Sequence, residues 1–192
     1  MSFCPVYIPV GVPTFHLESA QDQFDRSVSM LRSVNADFVC PEEMLLSIDS
    51  LRAYLADKHP DFIVFQNLTF ANAAYMSEVL RRFDCPVLLW TLREPVIDGG
   101  RLRLNSLTGA YSAANTLRDF DYRPFSYVFG APEEEETVAA VKSGVAAARV
   151  KKEMRSLKRA AVGHTPQGFG FGRALDSELM NTFGVELESL EA

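Results

Sequence analysis

The stretch FIVFQN, residues 62–67, decides the fold of this chain. Its first four residues form an unbroken apolar run, which ends at the two amides Gln66 and Asn67. A strand is apolar at successive positions when both of its faces are covered, as in a parallel sheet between two layers of helices. Residues 71–83 then carry the amphipathic pattern of a helix. The stretch therefore predicts a buried strand that is followed by a covering helix.

The same alternation of apolar runs and amphipathic stretches extends in both directions along the chain. It predicts five core strands, near residues 6–12, 37–40, 62–66, 86–90 and 125–130. The stretches between and after them predict helices near residues 21–34, 48–58, 71–83, 106–119 and 132–157. Repeating strand–helix units favour an α/β fold with a doubly wound parallel sheet, a three-layer arrangement of the flavodoxin or Rossmann type.

One segment interrupts this alternation. Residues 95–104 contain the pair Asp98-Gly99 between two short apolar segments. An Asp-Gly pair readily adopts the left-handed turn that joins two antiparallel strands. We therefore expect a hairpin here, between the fourth strand and the helix at residues 106–119.

A second α/β unit begins near the C-terminus. Its predicted elements are a strand at residues 160–163, a glycine-rich turn at 165–172, a helix at 174–183 with Gly184 as its C-cap, and a strand at 185–187. One strand–helix–strand fragment cannot bury both faces of its strands. The sequence therefore predicts an N-terminal α/β domain over residues 1–158 and the incomplete start of a second α/β domain over residues 159–192. We expect the chain to belong to a longer parent protein.

Composition indicates a globular protein with a substantial core. Of the 192 residues, 47% are hydrophobic and 14 are Phe, which excludes disordered and collagen-like classes. The net charge of −6 argues against a nucleic-acid partner. No apolar run approaches the roughly 18 residues that span a bilayer, and no secretory signal is present, so we expect no membrane partner and a cytoplasmic location. Cys4, Cys40 and Cys85 lie far apart and favour buried free thiols.

Polar and aromatic side chains follow several of the predicted strands. In open parallel sheets, ligands bind beyond the carboxyl ends of the strands. The candidate substrate-binding residues near these ends are His16, Gln66, Asn67, Phe70, Trp90 and Asn105. Amides offer both donors and acceptors to hydroxyl groups, and an aromatic ring can cover the apolar face of a sugar. The sequence thus predicts a site for a neutral, polyhydroxylated small molecule.

Each candidate also has a purely structural explanation. Asn67 and Asn105 are of a residue type that favours helix caps and turns. Trp90 is more often a core residue than a ligand platform, because aromatic rings dominate burial. His16 has no carboxylate at metal-ligand spacing. The sequence leaves both kinds of explanation open.

The sequence contains no catalytic or metal-binding motif. The glycine-rich segment 163–172 matches neither a dinucleotide-binding fingerprint nor a phosphate loop with its lysine, and favours a flexible connection. The basic residues between positions 149 and 159 have helical spacing and favour a solvated helix face over a nucleic-acid site. No Ser/His/Asp or Cys/His set and no carboxylate–histidine cluster can be assembled. We therefore expect neither catalytic residues nor metal ligands within this chain.

Several short motifs occur in an order that is similar to one known family. Trp90 is followed by LTGAYSAANTL at residues 107–117 and by RPFSYVFG at residues 123–130. The motifs TPQGF, residues 165–169, and FGVEL, residues 183–187, continue the order. Together they resemble the N-terminal region of the L-fucose isomerase family, which is related in fold to L-arabinose isomerase.

The resemblance implies that the parent protein is an aldose–ketose isomerase. Family members work through an enediol with a divalent metal, usually manganese, whose ligands lie in later domains. The N-terminal domain packs against a neighbouring subunit and lends residues to its sugar pocket, which implies a homo-oligomer. By position, the lent residues are His16, Gln66, Asn67 and Phe70. Family members carry a tryptophan-containing loop where this chain has QNLTF at residues 66–70, which leaves the sugar open.

Two other functions compete with the isomerase hypothesis. One is a stand-alone cytoplasmic module that binds a sugar or another metabolite without catalysis. The other is a flavodoxin-like nucleotide-binding protein, against which the missing phosphate loop argues. The unfinished second unit favours the isomerase, because a stand-alone module does not need it. On the isomerase hypothesis, the isolated chain is inactive and binds no manganese tightly, since such an ion needs several oxygen ligands.

Overall fold

The structure is a computed structural model that describes residues 3–119, 124–172 and 174–190. These residues belong to two compact units, residues 1–146 and residues 147–192. The predicted domain boundary after residue 158 stays a prediction. Arg123, the first residue of one of the motifs quoted above, lies outside the described residues.

The first unit contains strands that alternate with helices, as the sequence predicts. The strands are β1 Pro5–Val10, β2 Phe62–Asn67, β3 Val87–Thr91 and β4 Phe125–Phe129. The helices are α1 Leu17–Val34, α2 Ile48–Leu55, α3 Ala73–Leu80, α4 Ser106–Asp119 and α5 Glu135–Met154, of which α5 extends past the division between the units. The helix predicted over residues 106–119 has the predicted bounds.

The four strands form one parallel sheet in the order β1-β2-β3-β4. The predicted strand at residues 37–40 is wrong as a full strand, because it is reduced to an isolated parallel bridge between Val39 and Val6. Val39 exchanges backbone hydrogen bonds with β1, but Pro41 has no N–H to continue the ladder. With this edge segment counted as the second strand, the order is that of flavodoxin-like sheets.

Alternate residues of the strands face two layers of helices. Every residue of β1, β2 and β3 is buried. One face packs with residues of α2, α3 and α4 in a single apolar core. On the other face, Phe24 of α1 stacks on Tyr7 with ring centroids 6.2 Å apart. On the same face, α5 packs closely against the sheet at Gly144. A Cβ atom added to this glycine would lie only 2.5 Å from the Phe62 ring. The predicted α/β fold, with helices on both faces of a parallel sheet, is confirmed.

Gln66 is a polar residue inside this core. It belongs to β2 and is 0% exposed. The Tyr7 hydroxyl donates to Gln66 Oε1, and Gln66 Nε2 donates to Ser27 Oγ of α1 at 3.0 Å. Burial raises the pKa of Tyr7 well above its usual value, so the phenol keeps its proton and remains a donor. These bonds join β2 to β1 and to α1 through satisfied buried polar groups.

The hairpin predicted over residues 95–104 is wrong. The segment contains bends and no strand. Gly99 does adopt the predicted left-handed conformation, with φ of 81°. However, the backbone N–H groups of Arg103 and Leu104 donate to the carboxylate of Glu94. One side chain thus supplies the acceptors that a neighbouring strand would have supplied.

The second unit contains two parallel strands and a helix. Its elements are β5 Lys158–Val162, a 3₁₀ turn Gly170–Gly172, α6 Asp176–Phe183 and β6 Glu186–Leu190. Gly184 ends α6 with φ of 70°, as predicted for this position. Most residues of both strands are exposed, and Val162 is exposed to 71%. The predicted strand–helix–strand fragment is therefore present, with strands that the described residues of this unit leave largely uncovered.

Replacing Gln66 with Ala is expected to destabilise the first unit. The substitution leaves the Tyr7 hydroxyl and Ser27 without their buried partner and removes side-chain volume from a packed site. An unsatisfied buried polar group costs about 1–3 kcal/mol, and the lost volume adds to that cost. We expect the free energy of unfolding to fall by about 2–4 kcal/mol in urea denaturation followed by the fluorescence of Trp90, the single tryptophan.

Gln21→Ala is the matched control for this substitution. Gln21 is an exposed residue of α1 whose amide donates to Asp25 at 2.9 Å. Surface substitutions of this kind change stability by less than about 0.5 kcal/mol. An unchanged urea midpoint for Gln66→Ala, or equal effects of the two substitutions, would contradict the structural role of Gln66.

Candidate functional site

The carboxyl ends of β1 and β2 lie where the order of the sheet reverses. From β1 the chain moves to the edge segment at Val39, and from β2 it moves the other way, to β3. Crossovers that leave in opposite directions open a crevice beyond the strand ends, where open α/β sheets bind ligands. Three loops follow β1, β2 and β3. They are called here the first loop, residues 11–16, the second loop, residues 68–72, and the third loop, residues 92–105.

Hydrogen bonds join these three loops to one another. They are Val12 N–H to Thr69 Oγ1 at 2.9 Å, Phe70 N–H to the Leu104 carbonyl at 2.9 Å, and His16 N–H to the Arg103 carbonyl at 3.0 Å. Each loop therefore contacts both of the others. The loops after β1, β2 and β3 thus meet at one edge of the sheet.

A single carboxylate shapes the third loop. Glu94 accepts hydrogen bonds from the backbone N–H groups of Arg103 at 2.9 Å, Leu104 at 3.1 Å and Asn105 at 2.5 Å. A hydrogen bond to a charged group contributes about 1.5–3 kcal/mol, more than one between neutral groups. The three bonds bring the two ends of the loop together and fix the backbone that carries its basic residues.

A cavity of about 370 Å³ lies between the first and third loops. Its lining residues are Thr14, Phe15, His16, Arg101, Leu102 and Arg103. The volume falls within the range of small-molecule sites, about 300–1,000 Å³. Two lining side chains are guanidinium groups, one is an imidazole, and none is a carboxylate. The cavity can therefore bind a polar ligand and favours one that carries negative charge.

Three of the predicted site residues lie at this edge of the sheet. His16 lines the cavity, and its ring also caps the first turn of α1. Phe70 packs against Phe15, with ring centroids 6.3 Å apart. Asn105 ends the third loop with φ of 51°, and its Oδ1 accepts a hydrogen bond from Thr108 Oγ1 at 2.6 Å. The structure thus brings His16, Phe70 and Asn105 near the cavity, and each also has a structural task.

The other three predicted residues are buried within strands. Gln66 and Asn67 belong to β2 and Trp90 to β3, and each is 0% exposed. The indole nitrogen of Trp90 donates to the Gly130 carbonyl at 2.9 Å, which agrees with its structural explanation as a core residue. Gln66 and Asn67, which were predicted as site residues at the end of this strand, lie inside the sheet, because β2 pairs with β1 and β3 through both residues. Their predicted contact with substrate stays a prediction.

Asn67 is the least satisfied of these buried residues. Its side-chain oxygen and nitrogen have no hydrogen-bond partner among the described residues. The amide lies against the first turn of α4, where a Cβ added to Gly109 would come within 2.5 Å of Asn67 Nδ2. Ser106 Oγ donates to the main-chain carbonyl of Asn67 and accepts from Leu92 N–H at 2.9 Å. The carboxyl end of β2 therefore packs closely against α4. The Asn67 side-chain amide is buried there without a hydrogen bond to any described residue.

Sequence reasoning missed Arg101 and Arg103, and it named neither Phe15 nor Glu94 as an individual candidate residue. The segment RLRL, residues 101–104, alternates in polarity and so resembles one arm of a hairpin. The signal that could have found the two arginines is their position in an irregular segment that follows a buried strand. Loops at this end of a parallel sheet commonly carry ligand-binding groups.

An ion pair fixes the start of the third loop. Arg93 Nε lies 2.9 Å from Glu134 Oε1, and its guanidinium carbon lies 4.6 Å from the centroid of the Phe129 ring. The hydrogen bonds from Arg93 hold the pKa of Glu134 below its usual value. Because both side chains are partly exposed, the pair contributes little to stability. Because Arg93 is paired with Glu134, it is less available than an unpaired arginine to bind an anionic ligand.

The described residues contain no group of three or more His, Cys, Asp or Glu side chains that could hold a metal ion. The three cysteines form no disulfide bond with one another. Burial raises the pKa of the Cys40 thiol to about 11, which keeps it protonated at neutral pH and makes it a poor nucleophile. The chemistry that this part of the chain offers is the binding and orientation of a ligand.

Several proteins are similar to nearly the whole of this chain, and two of them are described here by name. No family model matches it. It is 62% identical over 185 residues to the sulfoquinovose isomerase of Clostridium sp. (strain MSTE9), which covers 96% of this chain and 41% of that protein. It is 35% identical over 189 residues to the sulfoquinovose isomerase of Priestia aryabhattai, covering 97% of this chain and 42% of that protein. The chain thus spans about two fifths of the length of these relatives.

The names of these relatives agree with the predicted sugar isomerase at a coarse level. Similarity to L-fucose isomerase in particular stays a prediction. Among solved structures, the azoreductase from Bacillus anthracis str. Sterne aligns over 77% of this chain and 97% of its own, with a TM-score of 0.37 and 11% identity. A likeness this distant carries no argument about function.

Replacing Glu94 with Ala is expected to open the third loop locally. The substitution removes the acceptor of three backbone N–H groups, those of residues 103–105. Because each bond to the carboxylate is worth about 1.5–3 kcal/mol, hydrogen exchange at these amides should accelerate at least tenfold. The rest of the first unit should keep its protection. Mass-spectrometric hydrogen exchange of peptides that cover residues 92–105 measures the change.

Glu42→Ala is the control for Glu94→Ala. Glu42 is an exposed glutamate that precedes α2, outside the three loops. Its removal should leave exchange over residues 92–105 as in the wild type. Unchanged exchange of that segment in Glu94→Ala would show that the carboxylate does not hold the loop.

Proposed function

We propose that this chain is the N-terminal part of a sulfoquinovose isomerase, an enzyme that interconverts an aldose and a ketose. The observation that carries the proposal is the 62% identity, over 185 residues, to a protein of that name. Because the chain spans about two fifths of the relative, we assign it a share of the sugar pocket and of the subunit contacts. Catalysis is assigned to the remainder of the longer protein, called here the parent enzyme.

Aldose–ketose isomerisation transfers a proton between neighbouring carbons through an enediol. The transfer needs an acid and a base within hydrogen-bond reach of the substrate. The arginines that line the cavity stay protonated and cannot accept a proton, and His16 is engaged as a helix cap. We assign the acid, the base and the ligands of a divalent metal to the rest of the parent enzyme. The resemblance to L-fucose isomerases favours manganese as that metal.

The first and third loops are proposed to supply the sugar contacts of this chain. Thr14 and His16 carry hydrogen-bonding groups into the cavity. The ring of Phe15, which contacts Phe70 and the guanidinium of Arg101, supplies the aromatic part of the cavity lining. Asn105 holds the end of the third loop. The buried residues Gln66, Asn67 and Trp90 serve in this proposal as supports for the strand ends rather than as direct ligands.

Exposed apolar side chains support a subunit contact near the cavity. Ile97 and Leu102 of the third loop are 85% and 44% exposed, and Tyr111 of α4 is 68% exposed. The burial of such exposed apolar groups against another protein is favourable. We propose a homo-oligomer that forms through this domain, in which the neighbouring subunit completes the sugar pocket.

The proposed ligand is a small-molecule sugar, with neither nucleic acid nor membrane as a partner. The net charge of −6 repels a polyanion. Within the described ranges, no helix has the length and apolar character needed to cross a membrane. We propose a cytoplasmic location for the parent enzyme.

The second unit supports the proposal of a longer parent enzyme. Its two strands are mostly exposed, although parallel strands are usually buried on both faces. Within this unit, Phe171 is 86% exposed and Leu190 is 51% exposed. An isolated two-stranded sheet is only marginally stable. We propose that further strands and helices of the parent enzyme cover these surfaces.

The parent enzyme is expected to convert sulfoquinovose to the corresponding ketose, and the isolated 192-residue chain is expected to leave it unchanged. Proton NMR of the sugar, at equal protein concentrations and with added manganese, measures both rates. The matched control is the parent enzyme after treatment with EDTA, which should lose activity and regain it when manganese is restored.

Two results would contradict the proposal. A parent enzyme that isomerises other sugars but leaves sulfoquinovose unchanged would show that the substrate is wrong. A reading frame that stops after residue 192, together with tight sugar binding by the isolated chain, would identify a stand-alone binding module instead.

A further inference from the structure

The cavity between the first and third loops is lined by two arginines and by no carboxylate. Arg101 and Arg103 both line it, and neither makes an ion pair within the part of the chain that the structure describes. Five other arginines are each paired with a carboxylate, namely Arg26, Arg52, Arg82, Arg93 and Arg118. Two neighbouring unpaired guanidinium groups in a cavity of an acidic protein favour an anionic ligand.

Contacts within the chain restrict the side chain of Arg101 and the backbone of Arg103. The guanidinium carbon of Arg101 lies 5.0 Å from the centroid of the Phe15 ring, a stacking contact that restricts the long side chain. Arg103 is fixed through its backbone, since its N–H donates to Glu94 and its carbonyl accepts from His16. Groups that are already ordered lose less conformational entropy on binding.

Glu94, a carboxylate of the same loop, forms no ion pair with either arginine among the described residues. Glu94 directs its oxygens to the backbone N–H groups of residues 103–105. These contacts use the charge of Glu94 to shape the loop, while the two guanidinium groups keep their donors. Guanidinium forks match the spacing of oxygens on a tetrahedral anion and can bind two of them at once.

We infer that Arg101 and Arg103 form the subsite that binds the sulfonate group of the substrate. The inference rests on the proposed function, because sulfoquinovose differs from quinovose by this one anionic group. The subsite would place the sulfonate between the first and third loops, with the hydroxyl groups of the sugar directed toward His16 and Thr14. A phosphate ester on a sugar has similar oxygens and charge, so the test separates the two anions.

The test uses the parent enzyme with Arg101→Gln, Arg103→Gln and the double substitution. Arg81→Gln is the matched control, because Arg81 is an exposed arginine at the end of α3. The substrates are sulfoquinovose, quinovose and glucose 6-phosphate. We expect each single substitution to lower kcat/KM for sulfoquinovose about tenfold to a hundredfold, mainly through KM, and to leave turnover of quinovose unchanged. Arg81→Gln should match the wild type with every sugar.

The phosphate arm identifies the source of the anion. A wild-type preference for sulfoquinovose over glucose 6-phosphate, lost in the double variant, supports a sulfonate subsite. A preference for glucose 6-phosphate would overturn the sulfonate assignment. Equal losses with sulfoquinovose and quinovose would also overturn it, because the arginines would then act on the common part of the sugar. Melting temperatures within about 2 °C of the wild type show that the variants are folded.

A binding measurement separates this inference from the proposed function. The parent enzyme, stripped of metal with EDTA, is titrated with sulfoquinovose by calorimetry. If wild type binds the sugar and the double variant binds it at least tenfold more weakly, the subsite stands even where turnover is absent and the proposed function fails. If wild type isomerises sulfoquinovose and the arginine variants bind and turn it over equally well, the proposed function stands and the subsite is wrong.

Discussion

Burial of the strands on both faces is the constraint on which the rest of the structure depends. Each residue of β1, β2 and β3 is buried, so both faces of the sheet require helices, and the strands must run parallel to allow helical crossovers. Parallel strands end at one edge, and the reversal of strand order between β1 and β2 leaves a crevice there. The position of the cavity therefore follows from the apolar runs of the sequence.

At this edge of the sheet, the partner of the Glu94 carboxylate is the one that gives the stronger interaction. Glu94 meets three backbone N–H groups, contacts of about 1.5–3 kcal/mol each, whereas exposed ion pairs contribute about 0–1 kcal/mol. The carboxylate therefore stabilises the third loop more by capping its backbone than it would by pairing with a nearby arginine. This choice of partner leaves Arg101 and Arg103 available to a ligand. The hydrogen bonds of Glu94 to the backbone thus both shape the third loop and leave the arginines of the proposed anion subsite unpaired.

The sequence predicts what is local and periodic and misses what depends on contacts between distant segments. The run at residues 62–65 and the helix at 106–119 are predicted correctly because their patterns repeat over adjacent residues. Gln66 ends the apolar run and was expected to bind a ligand, whereas the buried partners that it has in the structure, Tyr7 and Ser27, come from elsewhere in the chain. The expected hairpin fails for the same reason, since Glu94 replaces a strand ladder. For the candidate site, the sequence predicted the edge of the sheet at which it lies. It did not predict that Arg101 and Arg103 line it.

The central claim is that the basic cavity receives the anionic end of a sulfonated sugar. A crystal structure of the parent enzyme with bound sulfoquinovose tests it most directly. The account predicts sulfonate oxygens within hydrogen-bond distance, about 2.7–3.2 Å, of the guanidinium nitrogens of Arg101 or Arg103. A sulfonate bound by other residues, with both guanidinium groups left in solvent, would contradict it.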